Sequence, residues 1–280
     1  MKQLLLAFQF LSIIPLRVKG DVSEREIAQS AAFFPIVGAI QGILLVVGYT
    51  LSINFFPTEL TTGILLLLLV LSNGGFHLDG LSDTFDAIAA KSEDNMEIDR
   101  QKRLAIMKDS TIGPIGVIAI FLTLLLKFLA LNTLSHLSLF TLRSSLFLMP
   151  ILSKWAMVIS IFHGRPARKD GLGRIFINSV RISTVIFSSF LVIFFYILAV
   201  AIQISFYKEI FLNPPIPPLV KGGEGGLILL FVTISALLYI FSLISVRFCR
   251  KKFGGLTGDT LGAISEITEI LFLLMVLVWS

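Results

Sequence analysis

Three aspartates follow a long apolar stretch, in a segment that begins at His77. Asp79, Asp83 and Asp86 are spaced i, i+4 and i+7, so on a helix they fall within roughly 60° of one another on one face. Carboxylates so close repel each other, and a divalent cation reverses that interaction. Mg²⁺ in particular is held by a few carboxylates while a substrate phosphate supplies further oxygens. The spacing therefore favours a metal and phosphate site with these aspartates as metal ligands, and the alternative is a solvated acidic helix start with Asp79 as N-cap.

A basic segment follows the aspartates and offers groups that bind phosphate. Arg103 and Lys108 could neutralise negative charge on a phosphoryl group, while Ser110 would add a hydroxyl and Gly113 a backbone N–H. The alternative is that residues 100–108 form a basic amphipathic helix on the lipid headgroups. The residues alone leave both interpretations open.

Ionisable residues also occur inside apolar stretches. Lys154 and Glu266 lie well inside predicted spans, and Glu269 follows one turn later. Such groups are costly in a membrane and tend to face a polar cavity, so we expect them to line one. Lys127 lies near the end of a span, where its side chain can snorkel to the interface. His77 is more often a hydrogen-bonding bystander than a base, and a catalytic role for it stays open.

The composition identifies a membrane protein. Of the 280 residues 55% are hydrophobic and 15% are charged, and the mean hydropathy is +0.91, whereas soluble domains carry about 25% charged residues. The length allows about seven spans of roughly 20 residues and no ordinary soluble domain, so we expect one all-α domain over residues 1–280. The lone Cys249 excludes an internal disulfide. The net charge of +5 is spread over short loops, which suits anionic headgroups and phosphorylated substrates better than nucleic acid.

The apolar pattern also predicts the individual elements. Residues 1–15 should form a retained interfacial or re-entrant helix, and Ser23 should cap a short helix in the segment 21–29. A Pro/Gly tract, 213–226, is interpreted as a flexible insert. Seven spans are expected at about 32–53, 59–76, 114–131, 144–162, 182–206, 227–246 and 261–279.

The distribution of basic residues predicts the orientation. Eighteen of the 23 Lys and Arg lie in the N-terminal tail and in the loops after spans two, four and six. Because basic loops stay in the cytoplasm, these four segments should be cytoplasmic. The aspartates and the basic and glycine-containing motifs would then lie on one side of the membrane, as a single active site requires.

Several sequence blocks together resemble a known family. The chain is similar to cobalamin synthases, the adenosylcobinamide-GDP ribazoletransferase family, and the second and third blocks are specific to it. The order of the blocks spans nearly the whole chain. The blocks are Phe34–Gly38, His77–Asp86, Arg103–Gly113 and Gly254–Gly262, with further agreement at Lys154–Met157 and Ala167–Gly173.

The resemblance implies a Mg²⁺-dependent enzyme that spans the bacterial cytoplasmic (inner) membrane, with its active site facing the cytoplasm. It would join adenosylcobinamide-GDP to α-ribazole, or to α-ribazole 5′-phosphate, and release GMP in a late step of cobalamin biosynthesis. Membrane lipid is the expected environment, nucleic acid is not an expected partner, and homo-oligomers or association with other cobalamin-assembly enzymes stay open.

The resemblance also assigns roles to residues. The predicted catalytic residues are Asp79, Asp83, Asp86, Lys108 and Asp109. The predicted substrate- and phosphate-binding residues are His77, Gly80, Arg103, Ser110, Gly113, Lys154, Arg168, Gly258, Asp259 and Glu266. The chain departs from the family pattern at Ala87, where Gly is frequent, and at Thr111 and Lys154, where Arg is frequent. These departures affect phosphate binding more than the reaction.

Two other functions fit parts of the pattern. A CDP-alcohol phosphotransferase also uses aspartates at a membrane edge, but its motif requires an aspartate at the position of Phe76. An anion transporter would bind its substrate between interrupted spans. No inverted repeat is evident in the sequence, and the charges cluster at one face, so the transferase is the leading hypothesis.

Overall fold

The structure is a computed structural model of the 280-residue chain. It describes every residue except 17, 94, 110, 170–171, 211–222 and 280, and it does not describe the side chains of 172, 178–179, 203–210 and 223–227. The predicted phosphate-binding Ser110 therefore lies outside the described residues. So do residues 213–222 of the predicted insert.

The described residues form helices and no strands. Most connections between the helices are short, and one 3₁₀ turn (Ala31–Phe33) leads into the third helix. The helices are α1 (Lys2–Leu11), α2 (Glu24–Ser30), α3 (Phe34–Ser52), α4 (Thr58–Asn73), α5 (Phe76–Ala89), α6 (Met96–Ile106), α7 (Pro114–Leu137), α8 (Leu139–His163), α9 (Leu172–Ser179), α10 (Ile182–Ile210), α11 (Gly223–Phe253) and α12 (Gly258–Trp279).

Six segments of these helices are long and apolar enough to cross a membrane. They comprise α2 and α3 taken together, then α7, α8, α12 and the described apolar parts of α10 and α11. The pair α4 and α5 also passes this test and is bent by 87°. Near the end of α4, Ser72 lies beside Gln41 of α3, with Gln41 Nε2 donating to Ser72 Oγ at 3.1 Å, so α4 runs back along α3. With α4 counted, seven helices of the described part of the chain traverse the bundle, which confirms the predicted all-α polytopic fold.

The helix α8 is the centre of the bundle. In its apolar stretch 89% of the residues are buried inside the protein, against 17% in α10 and in α11. Glycines let α3 lie directly on it, since a Cβ at Gly38 would lie 2.5 Å from the carbonyl oxygen of Pro150. The central position of α8 places Lys154 in the interior, away from lipid.

The N-terminal helices confirm one local prediction. Ser23 caps α2 through a capping box in which Ser23 Oγ accepts from Glu26 N at 3.3 Å and Glu26 Oε2 accepts from Ser23 N at 2.9 Å. This reciprocal pair satisfies two N–H groups at the helix start. The helix α1 covers most of the predicted N-terminal helix and packs on α2 and α3.

The four basic segments meet at one end of the bundle. The segments are the N-terminal tail, the α5–α7 region, the α8–α10 region and the end of α11, and they lie side by side. Three side-chain contacts join them: Arg174 Nη2 with Glu24 Oε1 (2.6 Å), Arg103 Nη1 with Lys252 O (3.4 Å) and Arg168 Nη2 with Leu104 O (3.1 Å).

Candidate active site

The turn between α4 and α5 directs the aspartates away from the second span. Gly74 and Gly75 have φ angles of 67° and 74°, which residues with a side chain rarely adopt. Asn73 Oδ1 accepts from Gly75 N at 2.9 Å and holds the turn. The two glycines therefore permit the 87° bend, and α5 crosses the start of α12.

Two glycines allow α5 and α12 to touch through their backbones. A Cβ at Gly80 would lie 2.7 Å from the carbonyl oxygen of Asp259. A Cβ at Gly262 would lie 3.1 Å from Cα of His77. The predicted importance of Gly80 thus has a physical cause, because only glycine lets Asp259 approach α5 this closely.

The crossing assembles an acidic face that carries one arginine. Asp83 is half-buried, and the charges of Asp79, Asp259 and Asp86 act on it, as does the guanidinium of Arg168. Arg168 Nη2 lies 3.8 Å from Asp259 Oδ2. We call Asp79, Asp83, Asp259 and Arg168 the acidic face. Its carboxylates outnumber its arginine, so an added cation or phosphate-bound metal would be favoured there.

Both carboxylate oxygens of Asp86 form hydrogen bonds within the protein. Its Oδ2 accepts from Gly113 N at 2.7 Å and its Oδ1 accepts from Gly116 N at 2.8 Å. These are N–H groups at the start of α7, where a carboxylate also interacts favourably with the helix dipole. We expected Asp86 to bind a metal ion and Gly113 N–H to bind phosphate. The structure instead bonds these two groups to each other, and a Cβ at Gly113 or Gly116 would overlap the Asp86 carboxylate.

The carboxylates of the acidic face resemble a Mg²⁺ site that is completed by its substrate. Among the described residues, no three His, Cys, Asp or Glu side chains converge as a metal site. Mg²⁺ requires only one or two protein carboxylates when phosphate and water supply the other oxygens. Asp79, Asp83 and Asp259 fit that requirement by their chemistry and by their shared face, so they are the residues that would hold the ion.

The described contacts of Arg103 lie outside the acidic face. Its side chain is buried, with Nη2 lying 3.7 Å from Asp99 Oδ2 and Nη1 donating to Lys252 O at 3.4 Å. Hydrogen bonds from Ser92 and from the backbone of Glu93 hold the pKa of Asp99 below its usual value, which keeps this carboxylate charged beside the arginine. Arg103 therefore ties α6 to the end of α11, and its phosphate-binding role stays a prediction.

Arg168 is the arginine that the structure brings to the predicted site. It lies in the α8–α9 connection, which is fixed by backbone bonds between Leu256 N and Arg165 O (2.8 Å) and between Ala167 N and Leu256 O (2.9 Å). Its Nη2 also donates to Leu104 O. The guanidinium is thus held where the acidic face meets the basic end of the bundle.

Lys108 and Asp109 are exposed in the connection from α6 to α7. Asp109 Oδ1 accepts from Thr111 N at 3.0 Å, a local contact within that connection. Gly113 is bonded to Asp86 of α5, and a fully extended chain from Lys108 to Gly113 would span about 18 Å. Lys108 therefore lies within that distance of Gly113. The connection is therefore anchored at the site, and both residues keep their predicted roles as expectations.

The start of α12 is exposed at Gly258. Gly258 is exposed and has free space where a side chain would be. Thr257 and Thr260 cap the helix reciprocally: Thr257 N donates to Thr260 Oγ1 at 2.8 Å, and Thr260 N donates to Thr257 Oγ1 at 3.1 Å. Gly258 lies next to Asp259, so its exposed backbone borders the acidic face.

The chain is similar over nearly its whole length to proteins of one family. The sequence profile described as cobalamin-5-phosphate synthase matches residues 3–277. The chain belongs to the cobalamin-5-phosphate synthase family. A protein named adenosylcobinamide-GDP ribazoletransferase from Thermodesulfovibrio yellowstonii is 36% identical over 96% of this chain and 94% of that protein. Proteins of the same name from Caldanaerobacter subterraneus (31% identical, 97% of this chain and 96% of that protein) and Desulfitobacterium hafniense (34%, 98% and 96%) are also similar. No solved structure matches the chain.

This cobalamin-5-phosphate synthase family member also contains a buried set of charges beyond the acidic face. Lys127 Nζ lies 2.6 Å from Glu266 Oε2 and 2.6 Å from Glu269 Oε2. Lys127, Glu266 and Glu269 are at most 2% exposed. The expectation that Lys127 snorkels to the interface is wrong, because its ammonium group pairs inside the bundle.

Three residues predicted to bind substrate belong to this buried set. Lys154 is fully buried, and its Nζ lies 3.8 Å from Glu269 Oε1 and 3.4 Å from Nδ1 of the buried His77. Glu266 is paired with Lys127. Neighbouring helices enclose Lys154, His77 and Glu266 and supply their polar partners, and the contact of these residues with substrate stays a prediction.

Sequence reasoning missed several residues that shape the site. Gly116 provides a close backbone approach, and Ser153 and Ser265 join the buried charges. Gly116 lies in the first turn of α7 after Pro114, where a glycine lowers helix propensity. A glycine with low helix propensity in the first turn of α7 was therefore the one signal in the sequence that another helix lies close to this helix start.

Proposed function

We propose that this chain is an adenosylcobinamide-GDP ribazoletransferase. It would join adenosylcobinamide-GDP to α-ribazole, or to α-ribazole 5′-phosphate, and release GMP. The proposal is carried by one structural observation in a member of this family: α5 and α12 cross so closely at Gly80 that Asp79 and Asp83 share a face with Asp259 and Arg168. Carboxylates beside an arginine suit a substrate that contains a pyrophosphate.

The reaction exchanges one phosphorus–oxygen bond for another. A ribose hydroxyl oxygen of α-ribazole attacks the phosphorus linked to cobinamide, a new O–P bond forms, and the bridging P–O bond breaks. GMP leaves with the electron pair of that bond, and the hydroxyl proton passes to a base or to water. Mg²⁺, when bound, would supply positive charge to the phosphate oxygens.

The residues of the chain would contribute position and charge. Asp79, Asp83 and Asp259 would hold the ion, and Arg168 would donate to the phosphate oxygens with its planar guanidinium. Lys108, on the anchored connection, would add a second cation to stabilise departing GMP. Asp86 would act indirectly, because it fixes the start of α7 and therefore the end of that connection.

We further propose that the acidic face is cytoplasmic and that the membrane is the bacterial inner membrane. The four basic segments meet at the same end of the bundle as the acidic face, and basic ends stay in the cytoplasm. A nucleotide-linked substrate would then reach the site from the compartment in which nucleotides are made. Lipid would cover the outward faces of α10 and α11. Self-association or contact with other cobalamin-assembly enzymes stays a prediction.

The purified protein in detergent or nanodiscs should test the activity directly. With Mg²⁺, adenosylcobinamide-GDP and α-ribazole we expect equal amounts of GMP and a cobalamin, measured by mass spectrometry. Omitting either substrate, or chelating the metal, should abolish both products. Folded protein that yields no GMP would contradict the proposal, and substrate flux across proteoliposomes without GMP would favour the transporter.

A further inference from the structure

The buried charges form one connected network across four helices. Lys127 of α7 bonds Glu266 and Glu269 of α12, and Lys154 of α8 continues the network towards His77 of α5. Ser153 Oγ donates to Glu269 Oε1 at 3.0 Å, and Lys154 Nζ donates to Ser265 Oγ at 3.1 Å. We call these seven residues, His77, Lys127, Ser153, Lys154, Ser265, Glu266 and Glu269, the buried network.

The buried network satisfies its own charges. Its two ammonium groups face two carboxylates, and all four of these side chains are at most 2% exposed. A buried ion pair gains little stability over a well-packed apolar group of the same size, because desolvation offsets the attraction. Specific geometry is then the property that such a network adds, as buried polar groups do in coiled coils.

The buried network ends at the helix that carries the aspartates. His77 lies in the first turn of α5, two residues before Asp79, and its Nδ1 lies 3.4 Å from Lys154 Nζ. Its backbone rests against Gly262 of α12, which lies between Asp259 and Glu266. A rotation or slide of α5 on α12 would therefore break the contact with Lys154 and also move Asp79.

We propose that the buried network sets the position of α5 on α12, with His77 and Lys154 as positioning residues for the acidic face. Glycine contacts alone bring the two backbones close but allow them to slide, because glycine offers no side chain to interlock. The polar contact between His77 and Lys154 selects one arrangement. This inference rests on the proposed transferase function, since the acidic face is the part that must be positioned.

The main test replaces His77 by Leu. This His77→Leu change removes the α5 end of the buried network without unbalancing its two Lys–Glu charges, so the protein should still fold. We expect faster hydrogen exchange in residues 76–89 alone, and a kcat/KM lower by about 10- to 100-fold, the cost of misplacing reacting groups by about 1 Å. His77→Asn, which keeps a polar atom near the place of Nδ1, should restore most of both properties.

A matched control makes the same chemical change elsewhere. His136→Leu lies at the exposed end of α7, and exchange in α5 should stay as in the unaltered protein. Lys154→Arg keeps the positive charge and donors beside His77 and should retain slow exchange in α5.

Four outcomes of His77→Leu would overturn the inference. They are unchanged exchange and activity, lost activity with unchanged exchange in α5, faster exchange in α5 with unchanged activity, and faster exchange throughout the protein. If the unaltered protein releases no GMP, the proposed function fails instead, and the exchange data still report whether the buried network holds α5.

Discussion

The acidic face and the buried network both include residues of α12, and both consist of carboxylates beside basic side chains. Asp259 and Glu266 are seven residues apart on α12, a rise of about 10 Å. At the first position, several carboxylates share one arginine and are partly open to solvent. At the second, two carboxylates meet two lysines and are enclosed.

The difference shows what separates a binding site from a structural element. Where the protein supplies an equal number of opposite charges, as Lys127 and Lys154 do, no ligand is needed to complete the cluster. Where the protein leaves negative charge in excess, as at Asp83, a cation from outside is favoured. Removing a charge should therefore have opposite signatures at the two places: in the buried network it should first lower stability, and at the acidic face it should lower activity while stability is kept.

The largest expected effect is on stability, at Lys127. Lys127→Met leaves Glu266 and Glu269 without their 2.6 Å partner, and breaking a buried pair from one side lowers the free energy of unfolding by about 3–5 kcal/mol. Unfolding in mixed micelles should measure this loss.

A double variant provides the control for Lys127→Met. Lys127→Met combined with Glu266→Gln removes a charge from each side and should regain part of the stability. If the double variant is less stable than Lys127→Met by as much as Glu266→Gln alone lowers the free energy of unfolding, the two changes are independent. The idea of a balanced charge network is then wrong.

Asp83→Asn should have the opposite signature. It removes one of the crowded carboxylates, so stability should hold or rise, while kcat/KM for GMP release should fall by about 10²–10³-fold, as when one electrostatic group is removed from an active site. Asp21→Asn, at an exposed position in the N-terminal region, is the matched control. Full activity of Asp83→Asn with Mg²⁺ would remove the acidic face from the mechanism.

Asp86 lies on the same helix as Asp79 and Asp83, but it is hydrogen-bonded within the protein, like the residues of the buried network. Asp86→Ala leaves the N–H groups of Gly113 and Gly116 without their acceptor, which should lower the free energy of unfolding by about 1–3 kcal/mol. Hydrogen exchange should become faster at the start of α7. Asp79→Ala, in an exposed position on the same helix, should leave α7 unchanged. A shift in Mg²⁺ dependence without a loss of stability in Asp86→Ala would instead make Asp86 a metal ligand, as the sequence predicted.

The sequence predicted well what depends on near neighbours. Hydropathy located the spans, and Ser23 was predicted to cap a short helix, which the structure confirms. The i, i+4, i+7 spacing placed Asp79 and Asp83 on one face, because helix geometry is local.

The roles that sequence reasoning missed depend on contacts between distant helices. Lys127 and Glu266 are 139 residues apart in the chain, and Asp86 and Gly113 are 27 apart. Each of these residue types is compatible with several roles until its partner is known. The same aspartate is a metal ligand or a helix cap according to which helix start lies beside it.

The smallest effect is expected at the exposed ion pair between Arg174 and Glu24. These groups lie 2.6 Å apart, as close as Lys127 and Glu266, but their side chains are 36% and 60% exposed. Water competes for both charges, so Arg174→Ala should lower the free energy of unfolding by less than about 1 kcal/mol and should leave GMP release unchanged. The same unfolding assay used for Lys127→Met measures it. A loss as large as that of Lys127→Met would mean that distance, and not burial, sets how much each ion pair contributes to the free energy of unfolding. The contrast between the acidic face and the buried network would then depend on charge balance alone.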